Sequence, residues 1–139
     1  MTTAWRIALT QDITENDSDK IFTVPAGIEW EILWISVEYT STVTGGARQL
    51  EIQIQGSSGD VIAQWQTGIT QSEGLVYNYL FAVGVPDLSI IRDSNYLMTP
   101  LIGATFLTSG QKIRIWDNNA VDVGGDDMFI KIEYGYHEI

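Results

Sequence analysis

The sequence predicts an all-β domain, an antiparallel, jelly-roll-like β-sandwich of about eight or nine strands. Three observations predict it. Residues 47–55 (ARQLEIQIQ) alternate, with Leu50, Ile52 and Ile54 on one face and Gln49, Glu51, Gln53 and Gln55 on the other. Residues 128–136 alternate in the same way, with Met128, Ile130, Ile132, Tyr134 and Tyr136 set against Lys131 and Glu133. No segment keeps a helical period over three turns, and turn residues punctuate the chain at short, even intervals.

The elements follow in order. Residues 5–9 read as a first strand and residues 11–19 as an acidic loop. Residues 20–24 form a short strand, and Pro25-Ala26-Gly27 supplies a turn, with proline presetting φ and glycine free to take a positive φ. Residues 28–39 (IEWEILWISVEY) are a long strand whose apolar phase switches near Ile32 and Leu33. A β-bulge produces such a switch, as does a strand covered on both faces. Residues 47–55 and 61–66 pair as a hairpin across Gly56-Ser57-Ser58-Gly59-Asp60. Residues 75–83 alternate again, and residues 84–95 read as a long loop. Residues 96–107 are extended but broken by Pro100 and Gly103, which favours an edge or a bend. Residues 112–116 and 128–136 close the set, on either side of a polar, glycine-bearing loop at 117–127.

A chain of 139 residues fits a single domain, 1–139, with residues 1–10 as a candidate N-terminal arm. A domain of this size buries roughly 68% of its unfolded surface, enough for a core without staples. There is no Cys, which removes disulfides, thiolate metal sites and a Cys nucleophile, and suits intracellular folding. The N-terminal residues lack the basic start and apolar run of a secretion signal, and no stretch nears the ~18 apolar residues of a membrane span. The net charge is −11, from 18 acidic and 7 basic residues scattered along the chain. Such a surface repels phosphate backbones, so neither a nucleic-acid nor a membrane partner is expected.

The sequence offers little for catalysis, and no enzymatic activity or cofactor is expected. His137 is the one histidine, and it lies two residues from the C-terminus, where chains fray; it reads as a surface side chain and not as a general base. Glu29 and Glu31 share a strand face at about 7 Å, a spacing that suits glycoside hydrolysis but that any wet strand face provides. The weak calcium candidates are Asp117, Asn119, Asp122, Asp126 and Asp127, oxygen donors on one loop, although Val121 and Asp122 break the EF-hand spacing and Asp and Asn are ordinary turn residues. Gly45-Gly46 and Gly124-Gly125 precede strands and cannot cradle phosphate as a strand-to-helix turn does. Five Trp and six Tyr fit either a sandwich core with a subunit interface or a carbohydrate-binding module.

Several segments resemble small proteins encoded among tailed-phage virion genes. They are Val24-Pro25-Ala26-Gly27, Trp30 with Ile32-Leu33, Ser36-Val37-Glu38-Tyr39-Thr40-Ser41-Thr42 and Gly46-Ala47-Arg48-Gln49-Leu50. Lys112-Ile113-Arg114-Ile115-Trp116-Asp117, Ala120-Val121-Asp122 and Asp126-Asp127-Met128 follow. In order and spacing they cover residues 20 to 135, with Gly46-Ala47-Arg48 in place of the commoner Gly-Asn-Arg. The resemblance is to capsid decoration, or cement, proteins. It implies a homo-oligomer, a trimer foremost, made in the host cytoplasm and bound to the major capsid protein on the outer capsid surface, where it clamps neighbouring subunits. A tail or neck position is the related alternative, and a lectin-like module the unrelated one. Trp5, in the arm, and Leu97, Met98, Leu101 and Ile102, around Pro100, are the candidate interface residues.

Overall fold

A computed structural model of the chain describes residues 5–11, 17–85, 88–93, 96–100 and 106–139. Its strands are β1 (Arg6–Gln11), β2 (Asp19–Thr23), β3 (Ile28–Thr40), β4 (Leu50–Gln55), β5 (Val61–Gln66) and β6 (Val76–Ala82). They continue with β7 (Leu88–Asp93), β8 (Tyr96–Pro100), β9 (Phe106–Leu107), β10 (Lys112–Asp117) and β11 (Asp127–Glu138). Two sheets form. The larger runs β1-β11-β3-β6-β8-β7, with β9 also on β3, and the smaller runs β2-β10-β4-β5. The all-β sandwich expected from the alternation is what the chain adopts.

The alternation decides what each sheet buries. Ile35, Val37 and Tyr39 of β3, Met128, Ile130 and Ile132 of β11, and Tyr79 and Phe81 of β6 face Leu50, Ile52 and Ile54 of β4 and Ile113 and Ile115 of β10 in one core. Burying each of these side chains contributes about 1.5–3 kcal/mol.

The phase switch in β3 has the cause the sequence suggested. Trp34 pairs with Glu133 and Ile32 with Tyr134, so Leu33 is the extra residue of a β-bulge. The bulge turns Trp30 and Ile32 inward at one end of the strand and Ile35, Val37 and Tyr39 inward at the other.

Three features depart from the sequence reading. Residues 84–95 are not wholly loop, because β7 lies within them and pairs antiparallel with β8. With the two-residue β9, eleven strands stand among the described residues against the nine read from sequence. The sheets are also not uniformly antiparallel, since β8 runs parallel to β6. Alternation reports which face a residue takes and carries no information on strand direction. The third departure is the C-terminus, which does not fray: β11 is paired with β1 as far as Tyr136 and with β3 through Glu138, and Ile139 N–H donates to Gly27 C=O at 3.0 Å.

Ile132 is fully buried in the middle of β11. Ile132→Ala should therefore lower unfolding stability by about 2–5 kcal/mol, read as a fall in the urea midpoint at unchanged slope.

Candidate functional site

The two ends of the sandwich differ in kind. At one end the strand termini and loops converge on a buried polar cluster. Arg48, just before β4, places Nε 2.9 Å and Nη2 3.1 Å from the two carboxylate oxygens of Asp126, just before β11. Tyr39 Oη donates to the same carboxylate at 2.8 Å, as does Thr42 N–H at 2.8 Å. Arg48 and Asp126 are both buried. The Asp126 carboxyl feels burial, which pushes its pKa up, but the Arg48, Thr42 and Tyr39 hydrogen bonds outweigh this and hold it below the usual carboxylate range. Burial, then the Asp126 hydrogen bond, pushes the Tyr39 hydroxyl well above its ordinary value. Gln71 extends the cluster, donating to Tyr39 C=O at 2.8 Å and accepting from Tyr79 Oη at 3.0 Å.

This cluster accounts for most of the oxygen donors considered for calcium. Asp126 is saturated by Arg48, Tyr39 and Thr42. Asp117 accepts backbone N–H bonds from Gln49, Asn119 and Val121 at 2.9, 3.0 and 2.9 Å. Asp122 accepts from the Thr42 and Thr44 hydroxyls at 2.5 and 3.2 Å, and a β-carbon at Gly125 would collide with its carboxylate. Asn119 donates to Ala47 C=O at 2.9 Å, and Asp127 lies 3.6 Å from Lys20 Nζ. Among the described residues no three acidic or histidine side chains converge on a point that could hold a metal. These carboxylates cap turns and neutralise Arg48. The sequence reading missed Arg48 as an organising residue; its one visible signal was its place in the Gly46-Ala47-Arg48 segment.

The opposite end is aromatic and open. Trp30 stacks on Tyr134 at 4.2 Å, and Tyr136 adjoins Tyr134. With Ala8, Pro25 and Ile28 they line an open cavity of about 210 Å³. On the outer face of the large sheet above it, Trp5 lies against Gly135, packs at a tilt against His137 with ring centroids 4.1 Å apart and meets Phe106 edge-on at 6.2 Å. His137 is thus a partly covered side chain, with Nε2 3.7 Å from Glu29, and not the frayed surface residue expected. Glu29 and Glu31 stand in register with His137 and Gly135 on this outer face, flanked by an aromatic patch and not by a cleft between carboxylates.

The register sets one face side by side: Ile7 beside Gly135 and Glu31, Glu31 beside Phe106, and Leu9 beside Glu133 and Trp34. Ile7 is 71% exposed, Phe106 55%, Leu9 48% and Trp5 45%. Four large apolar side chains thus stand exposed on one open sheet face.

Of the residues nominated for an interface, Trp5 belongs to this patch. Its strand is no free arm, because β1 pairs residue for residue with β11. Leu97 is corrected: it is 3% exposed and belongs to the core, as its alternate position between β6 and β7 requires. Met98 is half-buried on β8, and Leu101 and Ile102 lie outside the described residues.

No protein-family model matches the chain, and no curated protein matches it. Solved structures of infectious bursal disease virus particles do. The VP2 subviral particle aligns with 99% of this chain and 33% of its own, at 11% identity and a TM-score of 0.39. The virus-derived T=1 particle aligns over 99% and 41%, at 9% identity and a TM-score of 0.36. The T13 viral particle aligns over 99% and 40%, at 9% identity and a TM-score of 0.35. The chain therefore spans only about a third to two-fifths of the length of these viral-particle chains.

Removing one partner of the buried pair, as in Arg48→Met, should destabilise the fold by about 3–5 kcal/mol. Because the folded pKa of Asp126 is lowered, its contribution is present above the unfolded carboxylate value and is lost as pH falls through the folded value. Chemical denaturation below about pH 4 should show the wild type losing stability on acidification, and Asp126→Asn, already weaker at pH 7, losing less over that interval.

Proposed function

We propose that the chain is a non-catalytic virion structural protein that decorates the outer capsid surface, contacts the major capsid protein and clamps neighbouring capsid subunits. The observation that carries this reading is the patch of Trp5, Ile7, Leu9 and Phe106 on the outer face of the large sheet. Trp is among the residues most enriched at interface hot spots, and here Trp5 stands amid exposed apolar neighbours. The rest of the molecule supports it. The polar cluster is internally satisfied, as a structural element is, and among the described residues its carboxylates meet N–H and O–H donors. The segments that resemble decoration proteins supply this cluster: Tyr39 and Thr42, Arg48, Asp117, Asp122 and Asp126 all lie within them. A charge of −11 suits a position outside a nucleic-acid-filled shell. Self-association, with a trimer foremost, rests on the resemblance alone.

The test mixes purified protein with undecorated capsids of the tailed phage that encodes it. The double variant Ile7→Lys, Leu9→Lys should keep the wild-type melting temperature and lose occupancy by about tenfold or more, as loss of a hot spot does. Val43→Lys, at an exposed loop beside the polar end, should bind as wild type. Equal occupancy for the double variant and the wild type would sink the assignment of this face.

A further inference from the structure

β1 is an edge strand, and three features meet along it. Its outer edge has no strand partner among the described residues. Its outward side chains Ile7 and Leu9 stand exposed on the sheet face. Its inward Ala8 forms one wall of the 210 Å³ cavity whose other sides are Pro25, Ile28, Trp30, Tyr134 and Tyr136. We propose that β1 is an acceptor for strand addition: a partner's extended segment lengthens the large sheet along β1 and seats one apolar side chain in this cavity.

The partner's chemistry follows from the two faces. An added strand alternates its side chains as β1 does. Its inward residue beside Ala8 lies over a cavity walled by an alanine, a proline, an isoleucine and three aromatic rings. The cavity is larger than the ~150 Å³ space known to take a benzene ring, so a branched aliphatic or aromatic side chain fits. Its outward residues lie over Ile7 and Leu9, and beyond those stand the carboxylates of Glu133 and Glu31 on β11 and β3. β11 is two strand spacings from the added strand, about 10 Å. A Lys or Arg lays its apolar stem over Ile7 or Leu9 and carries its charge toward those carboxylates. The segment therefore alternates apolar residues with Lys or Arg. A second copy does not supply it. The one stretch of this chain with that pattern, Lys112-Ile113-Arg114-Ile115, is already paired on both sides within the small sheet.

The inference rests on the capsid reading only for who the partner is. The probe is a fluorescein-labelled seven-residue peptide alternating lysine with isoleucine around a central tryptophan. The control has the same composition with its lysines gathered at one end. Fluorescence polarisation at physiological salt should give the alternating peptide at least about tenfold tighter binding than the control, and hydrogen exchange should show protection of β1 amides. Ala8→Trp, which fills the cavity, should weaken the alternating peptide by about tenfold, and Pro25→Trp, from the exposed turn, gives the same readout if the first variant does not fold. Equal binding of the two peptides, protection elsewhere than β1, or full affinity in the cavity-filled variant would overturn the inference. Peptide binding without capsid occupancy would leave β1 as an acceptor and remove the capsid assignment; occupancy without peptide binding would do the reverse.

Discussion

The pairing of Arg48 with Asp126 is the contact on which the arrangement of the polar end depends. A buried guanidinium is tolerated only when its charge and its N–H groups are met, and here the carboxylate takes two of them side by side while Gly46 C=O takes a third at 2.9 Å. Once Asp126 is fixed, its remaining acceptor positions fix Tyr39 at the end of β3 and the backbone of Thr42 beyond it. Thr42 in turn holds Asp122. Two stretches of chain far apart in sequence, 39–48 and 122–126, and both sheets are thereby tied to one carboxylate. Buried pairs are seldom net stabilisers against an apolar replacement. What this one supplies is selection: only one meeting of these loops leaves no charge unpaired.

A second constraint, the bulge at Leu33, makes the opposite end what it is. Without the extra residue β3 would keep one phase, and Trp30 with Ile32 could not share the inner side with Ile35 and Val37. Because the phase changes, Trp30 turns in to stack on Tyr134, and Trp34 turns out to stand beside Glu133 on the outer face. The inserted residue thus sets the Trp30 wall of the cavity, while Ile7 and Leu9 face outward through the unbroken register of β1 with β11.

Much of this was legible in the sequence, because period-two alternation maps directly onto which face is buried. Residues 112–117 and 127–136 took the faces their patterns demanded, and the Ile32–Leu33 phase break marked the bulge; in β4 Leu50, Ile52 and Ile54 turned to the core as read, but Glu51, Gln53 and Gln55, expected on a wet face, are buried as well. The losses have physical causes. β7 is bracketed by Pro86-Asp87 and Asp93 and reads as a turn-rich loop, while its strand state is imposed by pairing with β8. Leu97 was offered as an interface residue because Pro100 suggested an edge, yet β7 covers that edge. Arg48 was invisible as a core residue because a lone arginine after Gly45-Gly46 looks solvated, and its partner stands 78 positions away. The Asp-rich loop read only as a weak calcium candidate because carboxylates that cap turns and carboxylates that ligate cations have the same composition. Only their donors tell them apart.

The fate of the basic residues links these constraints to recognition. Of seven Lys and Arg, Arg48 is spent on Asp126, Arg114 is bidentate to Asp19 at 2.8 and 2.7 Å while stacked over Trp116, and Lys20 reaches Met128 C=O at 2.6 Å and Asp127. Three positive charges are therefore turned to internal structure, joining strands and loops, and their fields are cancelled locally. Around the aromatic end the balance is different. Glu29, Glu31 and Glu133 share the outer face with Trp5, Ile7 and Leu9, and the nearest cations on those strands are Arg6 and Lys131. Apolar surface alone would attract any hydrophobic partner, including further copies of the chain. Carboxylates set beside it make such self-contact repulsive and favour a partner that brings its own positive charge. Under the proposed strand addition, these acidic residues would narrow which partners the open apolar end can take.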